Sequence, residues 1–332
     1  VGVALIHNQV ESRVAGADSD KLSQVDVRAY DPVVLGIGAA SVGVNTDKKS
    51  TTIEGAVTYG EVENTTRALI TDRNGTNSTI KAQDGVVVQA TDVTPQTFKD
   101  RFATVLAADG TPAPDSDYDY GASLRQQRQE SFGGQSIGTT QPGALMIGVA
   151  GGVAVGTGND AGASAALGRI ASVHEAVLEG STVNASNVQV DATDATLMVN
   201  VGVGVAGTSG KVALVGSVAV TIDESRATAR VGDYGKTTQV TTTAAEGLGV
   251  TSASADKVFA IAGAIGISTQ GSAGGLAGTV GVNSAVSEAL VRNATVNAAD
   301  TRVEGATSSQ HISVAAAGGY GANASINGSF VI

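Results

Sequence analysis

Apolar and polar positions alternate with a period of two over long stretches of this chain. LMVNVGVGVAGT from 197 and VFAIAGAIGIST from 258 show it best, with Val, Ile or Ala separated by Gly, Ala or Asn. Strict alternation of this kind predicts β-strands. Related openings are LMIGVAGGVAVG from 145, ISVAAAGGYGAN from 312 and VVLGIGAASVGV from 33. The openings at 145, 197, 258 and 312 are spaced nearly evenly along the chain. Their interval sets a repeat of about 55 residues, and self-similarity at such a period is the signature of a repeat architecture. A second apolar run follows, such as VALVGSVAV (212–220) or LAGTVGVN (276–283). Then comes a charged junction: HEAVLEG at 174, ESRATARVG at 224 and SEALVRN at 287, with ESRVAG at 11 and TTRALI at 65. A polar strand closes the unit, as in TVNASNVQVDAT at 182, TVNAADTRVEG at 295 and SQVDVRAYD at 23.

Each unit therefore reads as strand, turn, strand, charged corner, strand, turn. A unit of this length cannot bury its own apolar face, whereas stacked neighbours share a continuous core. The expectation is one wide coil per unit, or two ordinary coils of roughly 25 residues. Branched side chains should point inward at alternate positions, with small residues between them letting coils stack closely. The run 197–221 is long enough to raise a transmembrane helix. Five glycines, Lys211 and dense Val make it a pair of strands instead.

Composition narrows the class. Charged residues make up 15% of the 332 residues, against about 25% in typical soluble domains, and the apolar content is too high for disorder. A net charge of −11 argues against nucleic acid and anionic membrane surfaces as partners. It fits an extracellular or cell-surface chain, or one that attracts divalent cations. There is no Cys, hence no disulfide framework and no thiol chemistry. Both ends lie inside apolar stretches, so the expectation is a fragment of a longer chain.

The units resemble those of large filamentous surface adhesins of Gram-negative bacteria, the leukotoxin-like and haemagglutinin-like exoproteins. Blocks such as VFAIAGAIGIS, GGLAGTVGVNSAVSEALVRN and ATVNAADTRVEG carry the likeness, which covers about 1–94 and 144–332. It is a likeness of pattern and composition. It implies an all-β, right-handed parallel β-solenoid (a wide β-helix), secreted by an autotransporter or two-partner route and displayed at the cell surface as a virulence-associated rod. The implied partners are a host-cell receptor, a glycan or another bacterial surface, with no nucleic acid and no membrane insertion. The resemblance supplies no catalytic motif, and the expectation is a non-catalytic adhesin fragment. A trimeric autotransporter head is the rival suggested by AVGTGNDAGASAALG (154–168).

One segment breaks the repeat. Between the junctions at 65 and 175 the step doubles, and the surplus lies at 95–143. That segment holds Pro95, Pro112, Pro114 and Pro142, with Phe98, Phe102, Phe132, Tyr118 and Tyr120. Thr94 as N-cap and Pro95 at the first helical position predict a helix over 94–110, closed by Gly110. A second helix is read over 121–134. The organisation is thus 1–94 and 144–332 as solenoid repeats around a partly helical insertion at 95–143.

Candidate chemistry gathers there. Asp115, Asp117 and Asp119 alternate as in a calcium loop, where carboxylates converge on a hard cation. Gly121 falls one place late and Gln126 stands where a bidentate Glu would sit, so a solvated acidic loop is the preferred reading and Ca²⁺ the weaker one. Tyr118, Tyr120, Arg125, Arg128 and Phe132 form a cluster of the residue types enriched at interface hot spots, a candidate receptor or glycan contact. The alternative is a miniature core for the insertion itself.

An enzyme is the second class, because β-helices include polysaccharide lyases and hydrolases. Arg13, Arg67, Arg226, Glu11, Glu175 and Glu224 recur at the junctions and would stack into a charged ladder. A ladder repeated in every unit is more simply a solvated corner that discourages edge pairing. His7, His174 and His311 are far apart, and no sequence neighbour completes a metal site around any of them.

Overall fold

A computed structural model describes residues 1–92 and 143–332. The described residues are all β-strand, turn and irregular connection, with no helix. Before 92 the strands are β1 (Gly2–Ala15), β2 (Asp18–Tyr30), β3 (Val33–Asn45), β4 (Thr51–Thr71) and β5 (Ser78–Thr91). Next come β6 (Ala144–Gly156), β7 (Asn159–Ile170), β8 (Val173–Leu178), β9 (Ser181–Ala185) and β10 (Asn187–Thr208). They are followed by β11 (Val212–Asp223), β12 (Arg226–Val231), β13 (Thr238–Thr242), β14 (Leu248–Ser268) and β15 (Ser272–Asn283). The last are β16 (Val286–Val291), β17 (Ala294–Asn297), β18 (Thr301–Gly321) and β19 (Ala324–Val331).

These strands make two sheets. One runs β16-β12-β8-β4-β7-β11-β15-β19 with β1 on β4; the other runs β17-β13-β9-β5-β10-β14-β18 with β2, β3 and β6 joined to it. Each strand pairs in parallel with its counterpart one repeat away. Ala144 stands opposite Thr196, Thr196 opposite Asp256 and Asp256 opposite Ser309. One repeat therefore adds one layer to both sheets, so the whole unit is the stacking step and the reading of two short coils is excluded. The architecture is all-β with parallel sheets, consistent with a β-helix-like, solenoid-like stacking.

The run 197–221 divides between β10 and β11 as strands. Among the described residues no helix is long and apolar enough to cross a membrane. The stretch 154–168 pairs with strands of its own chain, β6 on β3 and β10, β7 on β4 and β11. The charged junctions differ from expectation in being strands: β8, β12 and β16 continue the sheet after a short break. At one break Asp223 Oδ1 accepts hydrogen bonds from the Ser225 backbone N–H and hydroxyl, at 3.1 and 2.7 Å.

The interior has two unlike halves. In the first, Val, Ile and Leu point inward: Val27, Ile70, Ile80, Val86, Leu178, Val188, Val231 and Leu248 form one buried cluster between the sheets. In the second the sense of the alternation is reversed. Gly148, Ala150, Gly152 and Ala154 of β6 face inward while Ile147 and Val149 face out. The reason is spacing. A Cβ on Gly202 would lie 2.8 Å from the Val218 carbonyl of the facing sheet, and one on Gly266 2.7 Å from that of Gly274. Gly, Ala and Ser fill most of the inward positions between backbones this close, with Val215 an exception, so most of the branched side chains that favour strands stand on the outer surface.

Sequence and pairing also locate the break in the repeat. Gly85–Thr91 of β5 lie on Asn187–Thr193 of β10, and Ala144–Gly156 of β6 lie on Thr196–Thr208 of the same strand. Everything between Thr91 and Ala144 thus corresponds to Asp194 and Ala195 alone. Across this gap Val33 pairs with Ala144, twice the usual step along the chain, and the register on both sides is kept.

Candidate metal centre

Where the two interior halves meet, the column between the sheets turns polar. Asp31 follows β2, Asp92 follows β5, and Asp194 lies within β10. Because Tyr30 is opposite Thr91 and Thr91 opposite Thr193, the three aspartates stack in successive layers. Ser254 takes the next place. From the facing sheet comes His174 of β8, whose own column holds Thr66 before it and Ala227 after it. The combination of a histidine with stacked aspartates therefore occurs in this column once, at the layer where the chain leaves the sheet.

Asp92, His174 and Asp194 each offer a ligand atom, and these atoms lie within 4.8 Å of one another. All three side chains are buried, and Nε2 of His174 is 3.3 Å from Oδ1 of Asp194. Neither of those atoms has a hydrogen-bond partner among the described residues, nor does Nδ1 of His174. Asp92 is held by its surroundings: the Ala195 N–H donates to both of its carboxylate oxygens at 3.1 Å. The Asp92 side chain thus supplies the acceptor for that N–H beside β10.

Electrostatics follow from burial. Desolvation, then the charge of Asp194, pushes the Asp92 carboxyl up to about 8. Burial lowers His174, against the pull of Asp92 and Asp31, and so favours the neutral imidazole. Asp194 and Asp256 are both raised by burial, Asp256 also by the charges of Asp194 and Asp223. They share a hydrogen bond that lowers Asp194 and raises Asp256, so Asp256 holds the proton and donates it to the Asp194 carboxylate. The Ser254 hydroxyl also donates to Asp256, at 3.1 Å. Asp223 is raised by burial too, and Asp31 by burial against the Asn8 amide that donates to it at 3.3 Å. Asp31 keeps Oδ2 without a partner.

The residues singled out from sequence fare differently. Asp115, Asp117, Asp119, Tyr118, Tyr120, Arg125, Arg128 and Phe132, with the helices read at 94–110 and 121–134, lie outside the described residues. The junction charges do stack, with Glu11 opposite Arg67 and Arg67 opposite Glu175. They pair with one another: Arg67 Nε is 2.8 Å from Glu175, Arg13 Nε 3.0 Å from Glu11, and Arg169 bridges Glu61 and Glu224 at 2.6 and 2.8 Å. Arg226 reaches Glu288 at 2.9 Å. Glu224 stands outside the Glu11–Arg67–Glu175 column, because it is Thr228 of the next strand that lies opposite Glu175.

His7 is exposed near Glu61 and Glu63, but Glu61 is already engaged by the Tyr59 hydroxyl at 2.8 Å and by Arg169. His311 is exposed beside Ser313. His174 is the histidine that faces buried carboxylates, Asp194 of its own layer on the facing sheet and Asp92 of the layer before. The readable signal was the recurrence of VDVRAYD (25–31), VVVQATD (86–92) and VQVDATD (188–194), each ending an apolar strand segment on a carboxylate.

No protein-family model matches the chain, and no curated protein or solved structure does.

Proposed function

We propose that this chain is a rod-forming, non-catalytic segment of a bacterial surface adhesin, wound as a closed right-handed β-solenoid. It would be exported to the cell surface, attaching there to a host-cell receptor, a glycan or another bacterium. The observation that carries the reading is the in-register parallel stacking of whole repeats, which makes length, and with it reach from a surface, proportional to repeat number. The pairing of the junction charges with one another supports it against a lyase, which needs free carboxylates or arginines facing a substrate groove. The segment between Asp92 and Gly143 is the place for a specific contact. It falls at the register gap of one layer, and Tyr118, Tyr120, Arg125, Arg128 and Phe132 supply the residue types of an interface centre.

The test compares the full chain with a variant in which residues 93–142 are replaced by a short Gly-Ser link. Both are assayed by circular dichroism and by binding to epithelial cells and a glycan array. The reading expects an unchanged β-signal in both and attachment by the full chain alone. Attachment by the shortened variant would move the contact onto the rod. No attachment by the full chain, or release of unsaturated sugars from acidic polysaccharides, would overturn the adhesin.

A further inference from the structure

We propose that Asp92, His174 and Asp194 form a structural site for one divalent transition-metal cation of the zinc class, clamping the two sheets together where the chain leaves the ladder. Three features point there. The ligand atoms converge from β8 on one sheet and from β10 and the end of β5 on the other. Nδ1 of His174 is buried without a hydrogen-bond partner among the described residues, and Nε2 and Asp194 Oδ1 make no hydrogen bond beyond their mutual 3.3 Å contact, a condition that costs free energy unless something satisfies it. The 3.3 Å between Nε2 and Oδ1 equals the edge of a tetrahedron whose metal–ligand bonds are about 2.0–2.1 Å. The distance suits two ligands of one cation.

The donor set chooses the cation. An imidazole with two carboxylates suits zinc, cobalt or manganese, whereas calcium and magnesium prefer oxygen alone. The role is structural because the cluster has no solvent access through which substrate could enter. The cation would be bound as the layers close. It would hold sheet to sheet beside the register gap between Thr91 and Ala144.

The experiment uses the full chain, refolded from guanidinium either in EDTA or with a slight excess of zinc or cobalt sulfate, then passed through a desalting column. We expect about one metal per chain by atomic emission, a visible tetrahedral cobalt band, and a higher melting temperature with metal than in EDTA. His174→Ala and Asp194→Asn should lower retention at least about tenfold, while Glu175→Gln, on the outer face, keeps it. Should those two variants fail to fold, the double variant His7→Asn/His311→Asn leaves His174 as the sole histidine. Its cobalt derivative should still show paramagnetically shifted imidazole resonances. Background metal content with equal melting temperatures would overturn the proposal. So would retention undiminished in His174→Ala, or stabilisation by calcium matching that by zinc, which would place the cation on oxygen ligands elsewhere.

Discussion

Nε2 of His174 stands 3.3 Å from Oδ1 of Asp194 across the interval between two sheets, with both side chains sealed from solvent. Bulk solvent would ordinarily stabilise the charged forms of these groups, and burial withholds it. Burial consequently shifts the carboxyls upward and the imidazole downward, and the effect extends to the pH dependence of the whole fold.

In EDTA, Asp92 keeps its proton up to about 8 in the folded chain, whereas an unfolded aspartate releases it near about 3.9. Between those values the folded state binds the extra proton, so the free energy of unfolding falls as pH rises. Asp194 and Asp256, also raised by burial, act in the same sense. His174 is lowered and opposes them, losing its contribution as pH falls below about 6.5, but it is one group against five raised aspartates, Asp31 and Asp223 included. Urea midpoints in EDTA should therefore be higher at pH 5 than at pH 8. A profile that is flat or rises over that interval would contradict this account.

The closeness of the sheets makes a second prediction. Gly202→Ala would bring a Cβ to 2.8 Å from the Val218 carbonyl, a backbone atom that cannot swing aside. It should cost roughly 1–3 kcal/mol despite the usual gain from replacing a strand glycine. Gly207, in the same strand, has nothing within 4 Å of the same position. Gly207→Ala should be neutral or slightly stabilising, and equal midpoints for the two variants would refute the tight spacing.

Leucines on the two faces should behave differently. Leu248 is fully buried in the larger apolar cluster, and Leu248→Ala should cost about 2–5 kcal/mol. Leu214 is 55% exposed on the outer face of β11, and Leu214→Ala should change stability by less than about 0.5 kcal/mol. A large loss at Leu214 in thermal melts would mean that its face is covered in solution.

Lys236 ties two layers together. Its Nζ is 3.0 Å from Asp72 and also engages Glu179, which accepts from Arg230 at 3.0 Å. The lysine holds the Asp72 carboxyl below its ordinary range, so that stability is present above about pH 4 and lost as pH falls through the folded value. Lys236→Met should destabilise modestly at pH 7, less in high salt, and the difference from wild type should shrink below about pH 4. A difference that persists at pH 3 would assign the effect to packing of the side chain.

Much of the architecture is written locally. The openings at 145, 197 and 258 stand within one position of true register, since Leu145 pairs with Leu197 and Leu197 with Lys257. The doubled step between junctions also matches the register gap between Thr91 and Ala144. What the pattern does not carry is the direction in which alternation points. Val188 faces in and Val203 faces out within one strand, and only the distance to the opposite sheet decides which. The cluster around His174 was hidden for a related reason. Its members come from both sheets and from two adjacent layers, so their separations along the chain carry no ligand spacing.

The carboxylate of Asp92 receiving the N–H of Ala195 means that the sheet can release its strand in mid-ladder without stranding a donor. A foreign segment entering after Asp92 and returning at Gly143 would meet a junction already sealed. The fold thus contains a ready port, where a loop, a peptide epitope or a small domain could be carried on the side of the stack while the layers above and below keep their registration.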